Sequence, residues 1–311
     1  MQEFLQTTRG ILTILILLGV GYALARFQWV RKEESEFLAR FVVYITLPPY
    51  MVVNITTSFT RASLLHLGKG LPVPFFSMLS SYLCAVLLGH LLRLPAKRRG
   101  IFVVAFSLSN TIFVGLPVCQ ALFGERATPF VLLYYMVNTT LFWTLGALGI
   151  ASSGNPGQGF SFAEALRRIL NPPFLAFFLG VVLVLFGLPL PPLLAETARL
   201  LGNLTTPLSL LCVGTTIDTK HLRFTRDLAL VLLGRFLISP LLVLAVAALF
   251  SLPELMKEVF IIMSAMPVMM QSSLLARVYS ADYEYATGMI AATTALSALV
   301  IPLLKAGIQY L

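Results

Sequence analysis

The chain alternates between long apolar runs and short polar segments. Ten of the runs are long enough to cross a bilayer as helices, because a transmembrane helix needs about 20 mostly apolar residues. They cover residues 10–26, 38–54, 71–92, 101–122, 129–150, 173–190, 193–216, 228–250, 259–275 and 285–304. This pattern predicts an all-α polytopic membrane protein, and we number the predicted spans 1 to 10 in chain order.

The most polar and glycine-rich stretch lies between spans 5 and 6 and predicts a linker over residues 151–166. It separates a first five-helix repeat, 1–150, from a second five-helix repeat, 167–311. Because five is an odd number of spans, the second repeat must insert upside-down relative to the first. Prolines lie within the second and fourth spans of each half, which predicts matching helix breaks. Transporters with such inverted repeats hold their substrate near mid-membrane, between broken helices.

Composition and charge placement narrow this picture. Hydrophobic residues make up 58% of the chain and charged residues 11%, with a mean hydropathy of +0.89, which excludes a soluble enzyme. The net charge of +9 does not require nucleic acid as a partner, because the basic residues follow the loops. Fourteen of them flank the side that holds the 151–166 linker and seven flank the opposite side. The positive-inside rule therefore places this loop in the cytoplasm and both termini outside a plasma membrane or bacterial inner membrane.

Span 4 carries polar residues near its middle, among them Asn110 and Thr111, followed by Gly115 and Pro117. A proline inside a helix removes one backbone donor and frees a carbonyl one turn earlier, and in lipid such groups need partners or a water-filled cavity. We therefore expect a helix break at Gly115 and Pro117, with Asn110 and Thr111 facing a polar substrate. The alternative is that the hydroxyl groups bond back to their own helix and that Asn110 joins two helices.

Span 9 repeats this arrangement around Pro267. Gln271 lies one turn after the proline and is followed by Ser272, so both are candidates to line the same cavity. The alternative for Gln271 is a capping role at a broken helix. Asn138, in span 5, is either a further substrate-binding residue or a hydrogen-bonding contact between helices.

Arg235 is the one basic residue that lies well inside a span, about 12 Å into span 8 at ~1.5 Å per residue. A charge at this depth is costly and points to a function, such as attracting an anion. The alternative is a structural arginine that binds carbonyl groups at a broken helix.

Other chemistry is sparse. None of the thirteen acidic residues falls in the middle of a span, which argues against a carboxylate proton relay. The three cysteines and three histidines are scattered, so neither a metal site nor a catalytic cluster is predicted. We expect no enzyme and no cofactor, and the residues leave sodium or proton coupling open.

Taken together, these residues resemble the auxin efflux carrier family, which includes plant PIN-type carriers and bacterial malonate-type carriers. The resemblance runs in order over nearly the whole chain. The matching stretches are Ser109-Asn110-Thr111 through Gly115-Leu116-Pro117, Asn171-Pro172-Pro173, Pro207 to Gly214, Arg235-Phe236-Leu237 with Pro240, Ala265-Met266-Pro267, and Ala276 to Tyr279 with Asp282.

The resemblance implies two inverted five-helix repeats in which spans 4 and 9 cross at their prolines, an arrangement shared with bile-acid symporters and NhaA-like proteins. It implies an elevator, in which a transport core of spans 3–5 and 8–10 moves against a scaffold of spans 1, 2, 6 and 7, and a homodimer through the scaffold. By position, Asn110, Pro117 and Pro267 match the family's crossover site. Asn138 stands where PIN-type carriers have a polar residue, and Gln271 lies in the matching stretch of span 9.

The chain also departs from the plant carriers. Span 3 lacks the acidic residue of the plant carriers' supporting site, which argues against auxin itself as the substrate, and the short central loop suits a short bacterial member. We expect a secondary active transporter of a small organic anion, such as a carboxylate or an auxin-like compound, surrounded by the lipid bilayer. Two alternatives are a sodium-coupled bile-acid-type symporter and a non-transporting membrane receptor.

Overall fold

The computed structural model describes residues 2–154, 162–216 and 224–308. These residues form helices and no strand, which confirms the predicted all-α class. Part of the predicted linker, 155–161, lies outside the described residues. The α-helices, in chain order, are α1 (Gln2–Arg26), α2 (Lys32–Phe41), α3 (Leu47–Ser58), α4 (Arg61–Gly68), α5 (Pro72–Leu91), α6 (Ala96–Ser107), α7 (Leu116–Phe123), α8 (Thr128–Leu141), α9 (Ala147–Gly154), α10 (Phe162–Ile169), α11 (Pro172–Phe186), α12 (Pro192–Asn203), α13 (Thr205–Thr215), α14 (Arg226–Leu233), α15 (Ser239–Ala247), α16 (Glu254–Ser264), α17 (Gln271–Val278) and α18 (Tyr283–Ile308).

Several helical segments suit a bilayer. Within the described residues, five segments are long and apolar enough to cross it: Lys32–Ser58, Pro72–Leu91, Glu125–Gly154, Arg226–Ala247 and Tyr283–Ile308. Shorter apolar helices cover Leu12–Arg26, Thr111–Phe123 and Pro172–Phe186. Large apolar side chains lie exposed along them, as lipid-facing residues do. The chain is therefore a multi-pass membrane protein, while the exact ten-span inverted repeat stays a prediction.

Wide helical turns accompany the prolines. The π-helical turns Val42–Thr46, Thr111–Gly115 and Gly234–Ile238 each end two residues before a proline. A proline lacks an N–H and crowds the carbonyl four residues earlier, and a locally widened turn accommodates both effects. The predicted break in span 2 is therefore wrong, because Lys32–Ser58 is one continuous helical segment and its proline pair lies in the first turn of α3.

The chain divides into two compact units. Unit 1 comprises Met1–Leu71, Ile112–Leu133 and Leu170–Thr216. Unit 2 comprises Pro72–Thr111, Tyr134–Ile169 and Ile217–Leu311.

In unit 1, α1 packs closely against α13 where two glycines meet. A Cβ atom on Gly21 would overlap the carbonyl oxygen of Leu211, and one on Gly214 would overlap the carbonyl oxygen of Leu18. Glycine has no side chain, so the two backbones can lie close together. The close packing adds van der Waals contacts, which stabilise helix pairs in lipid, where the hydrophobic effect does not hold helices together.

In unit 2, α6 packs against α9 in a similar way. A Cβ atom on Gly100 would overlap the carbonyl oxygen of Gly149. Polar contacts join further helices, since Ser81 on α5 and Ser239 on α15 lie 3.0 Å apart between their hydroxyl oxygens. These contacts fix the helices that carry the candidate site.

Candidate functional site

Two interrupted helices meet in unit 2. α6 and α16 each end in a short non-helical segment, 108–110 and 265–270, and we name these two segments the junction. Ser109 and Val268 form an isolated antiparallel bridge. The N–H of Asn110 donates to the carbonyl oxygen of Pro267 at 2.8 Å. The two breaks therefore satisfy part of each other's backbone within an apolar environment.

The span 4 interruption lies earlier than the sequence predicts. Gly115 ends the π-helical turn Thr111–Gly115, and Pro117 is the second residue of α7, where a missing N–H costs little. The helix is interrupted at 108–110 instead. Gly115 and Pro117 therefore belong to a continuous helical stretch in unit 1, whereas Pro267 does lie inside a non-helical segment.

Asn138 on α8 holds the junction segment 108–110 by hydrogen bonds to its backbone. Its side chain is 0% exposed. The N–H of Ser109 donates to Asn138 Oδ1 at 2.9 Å, and Asn138 Nδ2 donates to the Ser109 carbonyl oxygen at 3.0 Å. Nδ2 also lies 3.9 Å from the sulfur of Met269. With both ends of its amide in use, Asn138 fits the alternative role of joining helices, and substrate binding by it stays an untested prediction.

Asn110 is placed differently. It is only 2% exposed, and its side-chain amide takes part in none of the hydrogen bonds between described residues, although its polar atoms are not among the fully buried groups that lack a partner. Its neighbour Thr111 is equally buried, and the N–H of Thr111 donates to the Ser109 carbonyl at 3.0 Å. An unengaged amide beside paired backbone is chemically suited to bind a polar ligand.

Across the junction, Gln271 begins α17, and its buried Oε1 has no hydrogen-bond partner among the described residues. The hydroxyl of Ser272 donates to the Met269 carbonyl at 2.7 Å, so this hydroxyl is already engaged within its own segment. Thr139 is a residue that the sequence analysis missed: it is 1% exposed and its Oγ1 also lacks a partner within the described part of the chain. Its position directly after Asn138 was the available signal.

Arg235 lies under the junction and is 0% exposed. Its Nε and Nη2 donate to the Ala105 carbonyl at 3.3 and 3.2 Å, and Nη2 also donates to the Leu108 carbonyl at 2.5 Å. Its Nη1 donates to Ser109 Oγ at 2.8 Å and to the Ser264 carbonyl at 3.1 Å. These contacts match the alternative that Arg235 is a structural arginine, which binds carbonyl groups at broken helices. Any effect of Arg235 on an anion would therefore act at a distance.

The third support comes from α18. The hydroxyl of Thr293, itself 0% exposed, accepts the N–H of Val268 at 3.1 Å. The same hydroxyl lies 2.8 Å from the Met289 carbonyl, to which it donates. The junction is thus held by residues from α8, from the Gly234–Ile238 turn and from α18.

The charges around the junction are one-sided. Among the described residues, Arg235 is the charged side chain in the buried set, and no Asp or Glu is buried. Within that same part of the chain, no group of three or more His, Cys, Asp or Glu residues could hold a metal ion. The junction therefore offers amides, hydroxyls and backbone groups as binding partners.

A second polar cluster lies in unit 1 and was not predicted. Gln120 Nε2 donates to Tyr50 Oη at 2.6 Å and to both carboxylate oxygens of Glu125 at 3.0 Å. Tyr50 Oη also lies 3.1 Å from the hydroxyl of Thr128, and Thr206 donates to Gln120 Oε1 at 2.7 Å. Tyr50 and Thr206 lie far from the other three residues in sequence, so no local pattern signalled the whole cluster.

At one end of unit 2, an ion pair borders a cleft of about 160 Å³. Arg98 Nε donates to Asp282 Oδ2 at 2.7 Å, and the Arg98 guanidinium lies 5.0 Å from the ring centre of Tyr285. The hydrogen bond to Asp282 raises the pKa of Arg98 above its usual value. Asp282 Oδ1 also accepts the N–H of Tyr285, which caps α18.

Comparison with known proteins gives a family and two relatives. Residues 7–305 match the family described as "Membrane transport protein". An uncharacterized transporter of Methanocaldococcus jannaschii is 28% identical over 304 residues, covering 94% of this chain and 96% of the relative. An uncharacterized transporter of Methanothermobacter thermautotrophicus is 29% identical over 308 residues, covering 96% and 98%. Both relatives come from archaea, and the expected bacterial source stays untested.

Proposed function

Because the chain belongs to the membrane transport protein family, which confirms the resemblance to auxin efflux carriers, we propose that it is a secondary active carrier of a small organic anion. The substrate class would be a carboxylate or an auxin-like compound. The membrane would be a plasma membrane or a bacterial inner membrane, with both termini outside and the 151–166 loop in the cytoplasm.

The unengaged amide of Asn110 is the observation that carries this proposal. It is buried at the junction, beside the start of the helical turn Thr111–Gly115. Helix N-terminal ends carry partial positive charge and unpaired N–H groups, which favour carboxylates. Gln271, at the start of α17, contributes a second polar side chain to the junction, and Thr111 a third. No buried carboxylate of the described residues would repel the anion.

Binding at the junction would work by replacing water around the carboxylate. The Asn110 amide would donate to one carboxylate oxygen, and the partial positive charge at the start of a helix would attract the other. The junction backbone is already paired through Ser109, Val268 and Pro267, so it would not need to reorganise when the ligand enters.

Transport would follow the elevator scheme, with spans 3–5 and 8–10 moving against spans 1, 2, 6 and 7. The division of the described residues supports this grouping in part, because unit 1 holds α1–α3 and α11–α13, whereas unit 2 holds α5, α6 and α14–α18. Homodimerisation through the scaffold and coupling to sodium or protons belong to the same proposal, and the coupling ion is decided by experiment.

The test is uptake by purified protein in proteoliposomes. Acetate, malonate and indole-3-acetate would be supplied as labelled substrates, with and without a sodium or pH gradient. Asn110→Ala should lower uptake of the best substrate by roughly tenfold or more, since a lost hydrogen bond to a charged group is worth about 1.5–3 kcal/mol. Asn54→Ala is the matched control: this residue also lies in an apolar helix, but donates to the Tyr50 carbonyl in unit 1.

Each outcome separates the alternatives. Uptake that Asn110→Ala lowers and Asn54→Ala preserves supports the site. Equal rates for wild type and Asn110→Ala overturn the site assignment. Strict dependence on sodium with bile acids as competitors favours the bile-acid-type symporter, and binding without flux favours a receptor.

A further inference from the structure

Arg235 uses its whole guanidinium group inside the protein. A guanidinium has five N–H bonds, and the five contacts of Arg235 end on three carbonyl oxygens and one hydroxyl. The Ser109 hydroxyl that accepts one of them also lies 3.4 Å from the Ser264 carbonyl. No N–H remains for direct contact with a ligand.

The local structure brings Arg235 to this position. It lies in the π-helical turn Gly234–Ile238, and π-helical turns redirect side chains relative to a regular helix. A Cβ atom on Gly234 would overlap the ring of Phe106 on α6. The glycine therefore allows the turn close enough to α6 for the guanidinium to reach that helix's last carbonyls.

These carbonyls belong to the ends of two different helices. Ala105 and Leu108 lie at the C-terminal end of α6, and Ser264 is the last residue of α16. A helix C-terminus carries about half a negative charge, so two of them bring about one negative charge to the junction. Arginine stays protonated in proteins and brings one positive charge, so the two contributions roughly cancel.

Positive helix ends are left at the same junction. α17 begins at Gln271 and the turn Thr111–Gly115 begins at Thr111, each directly after a junction segment. No Asp or Glu is buried among the described residues, so no carboxylate offsets these N-terminal ends. Without Arg235, the C-terminal ends would offset them instead.

We propose that Arg235 is a positioning and specificity-determining residue: it clamps the ends of α6 and α16 and cancels their negative partial charge. The junction then favours an anion over a neutral molecule of the same shape, although the arginine never touches the ligand. This inference rests on the proposed anion-carrier function and adds the source of its charge selectivity.

The experiment compares a carboxylate with its neutral amide. Acetate, malonate and indole-3-acetate are each paired with acetamide, malonamide and indole-3-acetamide, and competition for uptake in proteoliposomes gives a carboxylate-over-amide preference. Arg235→Gln should lower this preference by about tenfold, mainly through KM, because the uncancelled helix ends act on binding. Arg235→Lys keeps the positive charge but loses the branched set of N–H donors. It should therefore keep the carboxylate-over-amide preference and lower the thermal stability.

Thr293→Val is the matched control, because it removes the acceptor of the Val268 N–H without changing any charge. It should lower stability and leave the preference unchanged. If Arg235→Gln does not fold, Ser109→Asp tests the same idea, since it places a carboxylate beside Nη1 while the arginine stays in place. Ser109→Asn is its uncharged counterpart.

Retention of the preference by folded Arg235→Gln, or by Ser109→Asp, overturns the inference. Loss of the preference in Thr293→Val or Ser109→Asn to the same extent also overturns it, because packing rather than charge would then be responsible. A wild-type protein that transports none of the carboxylates overturns the proposed function instead, so the two failures are distinguishable.

Discussion

The neighbouring residues Asn138 and Thr139 offer a sharp test of what holds the junction together. Both are almost completely buried on the same helix, with exposures of 0% and 1%. Asn138 makes two hydrogen bonds to the backbone of Ser109, whereas Thr139 Oγ1 makes none among the described residues. We therefore expect opposite outcomes from substitutions that remove polarity while keeping approximate size, Asn138→Leu and Thr139→Val.

Asn138→Leu leaves the N–H of Ser109 without its partner, and it removes one of the two donors to the Ser109 carbonyl, which keeps the N–H of Thr111. Each orphaned buried group costs about 1–3 kcal/mol, and the low end applies in membranes, where hydrogen bonds between helices average about 0.6 kcal/mol. One orphaned N–H and one lost hydrogen bond to a carbonyl therefore predict a loss of about 1–2 kcal/mol. For a chain of this size that loss corresponds to a drop of roughly 2–8 °C in the unfolding midpoint.

Thr139→Val should leave the midpoint unchanged or raise it slightly, because it replaces an unpaired buried hydroxyl with a methyl group. The assay is thermal unfolding of detergent-purified protein, followed by tryptophan fluorescence and by loss of the monodisperse peak in size-exclusion chromatography. Equal drops for the two variants would refute the reasoning, since burial rather than pairing would then set stability. A Thr139→Val protein that is stable but slower in transport would assign its hydroxyl to a bound ligand or water.

Three further predictions use the same unfolding assay. Asp282→Ala should lower the free energy of unfolding by about 0.5–2 kcal/mol, because it removes the cap of α18. Asp282→Asn should keep most of that stability, since asparagine caps equally well. Equal losses in the two variants would contradict the capping role. Gly21→Ala should lower the unfolding midpoint, because the added Cβ would overlap a backbone oxygen of α13. Gly19→Ala on the same helix should leave the midpoint unchanged, because no atom lies within 4 Å of its added Cβ. The same midpoint for both variants would argue against tight packing at Gly21. Tyr50→Phe should lower the free energy of unfolding by about 1–2 kcal/mol, because it removes the hydroxyl that joins the unit 1 cluster. Tyr44→Phe should be neutral, because Tyr44 is exposed. A neutral Tyr50→Phe would show that the cluster does not contribute to stability.

Prolines show how far local sequence rules reach. The sequence located the helix irregularities near the right residues, because a missing N–H disturbs any helix. It could not tell an interruption from a widened turn. At Pro117 a π-helical turn absorbs the proline, and in span 4 the helix is instead interrupted at 108–110, where no proline stands. That interruption forms where Asn138 on α8 and the Pro267 carbonyl in the segment 265–270 are available to satisfy the freed backbone.

The site residues divide in the same way. Asn110, Asn138, Gln271 and Arg235 stand out in the sequence because polar groups in apolar spans are costly. Their hydrogen bonds distinguish them. Asn138 bonds to backbone groups, and Arg235 bonds to carbonyls and to the Ser109 hydroxyl. The side-chain amide of Asn110 makes no hydrogen bond in the described part of the chain.

The sequence by itself determined the class of protein, its apolar helices and the polar positions that need an explanation. These properties follow from transfer free energies and local backbone chemistry, which depend on residues close together along the chain. Only the tertiary structure decided which helix is interrupted where, and which polar groups are already satisfied. Arg235 reaches carbonyls 127 to 130 positions away in sequence, and such pairings depend on how helices pack rather than on any local pattern.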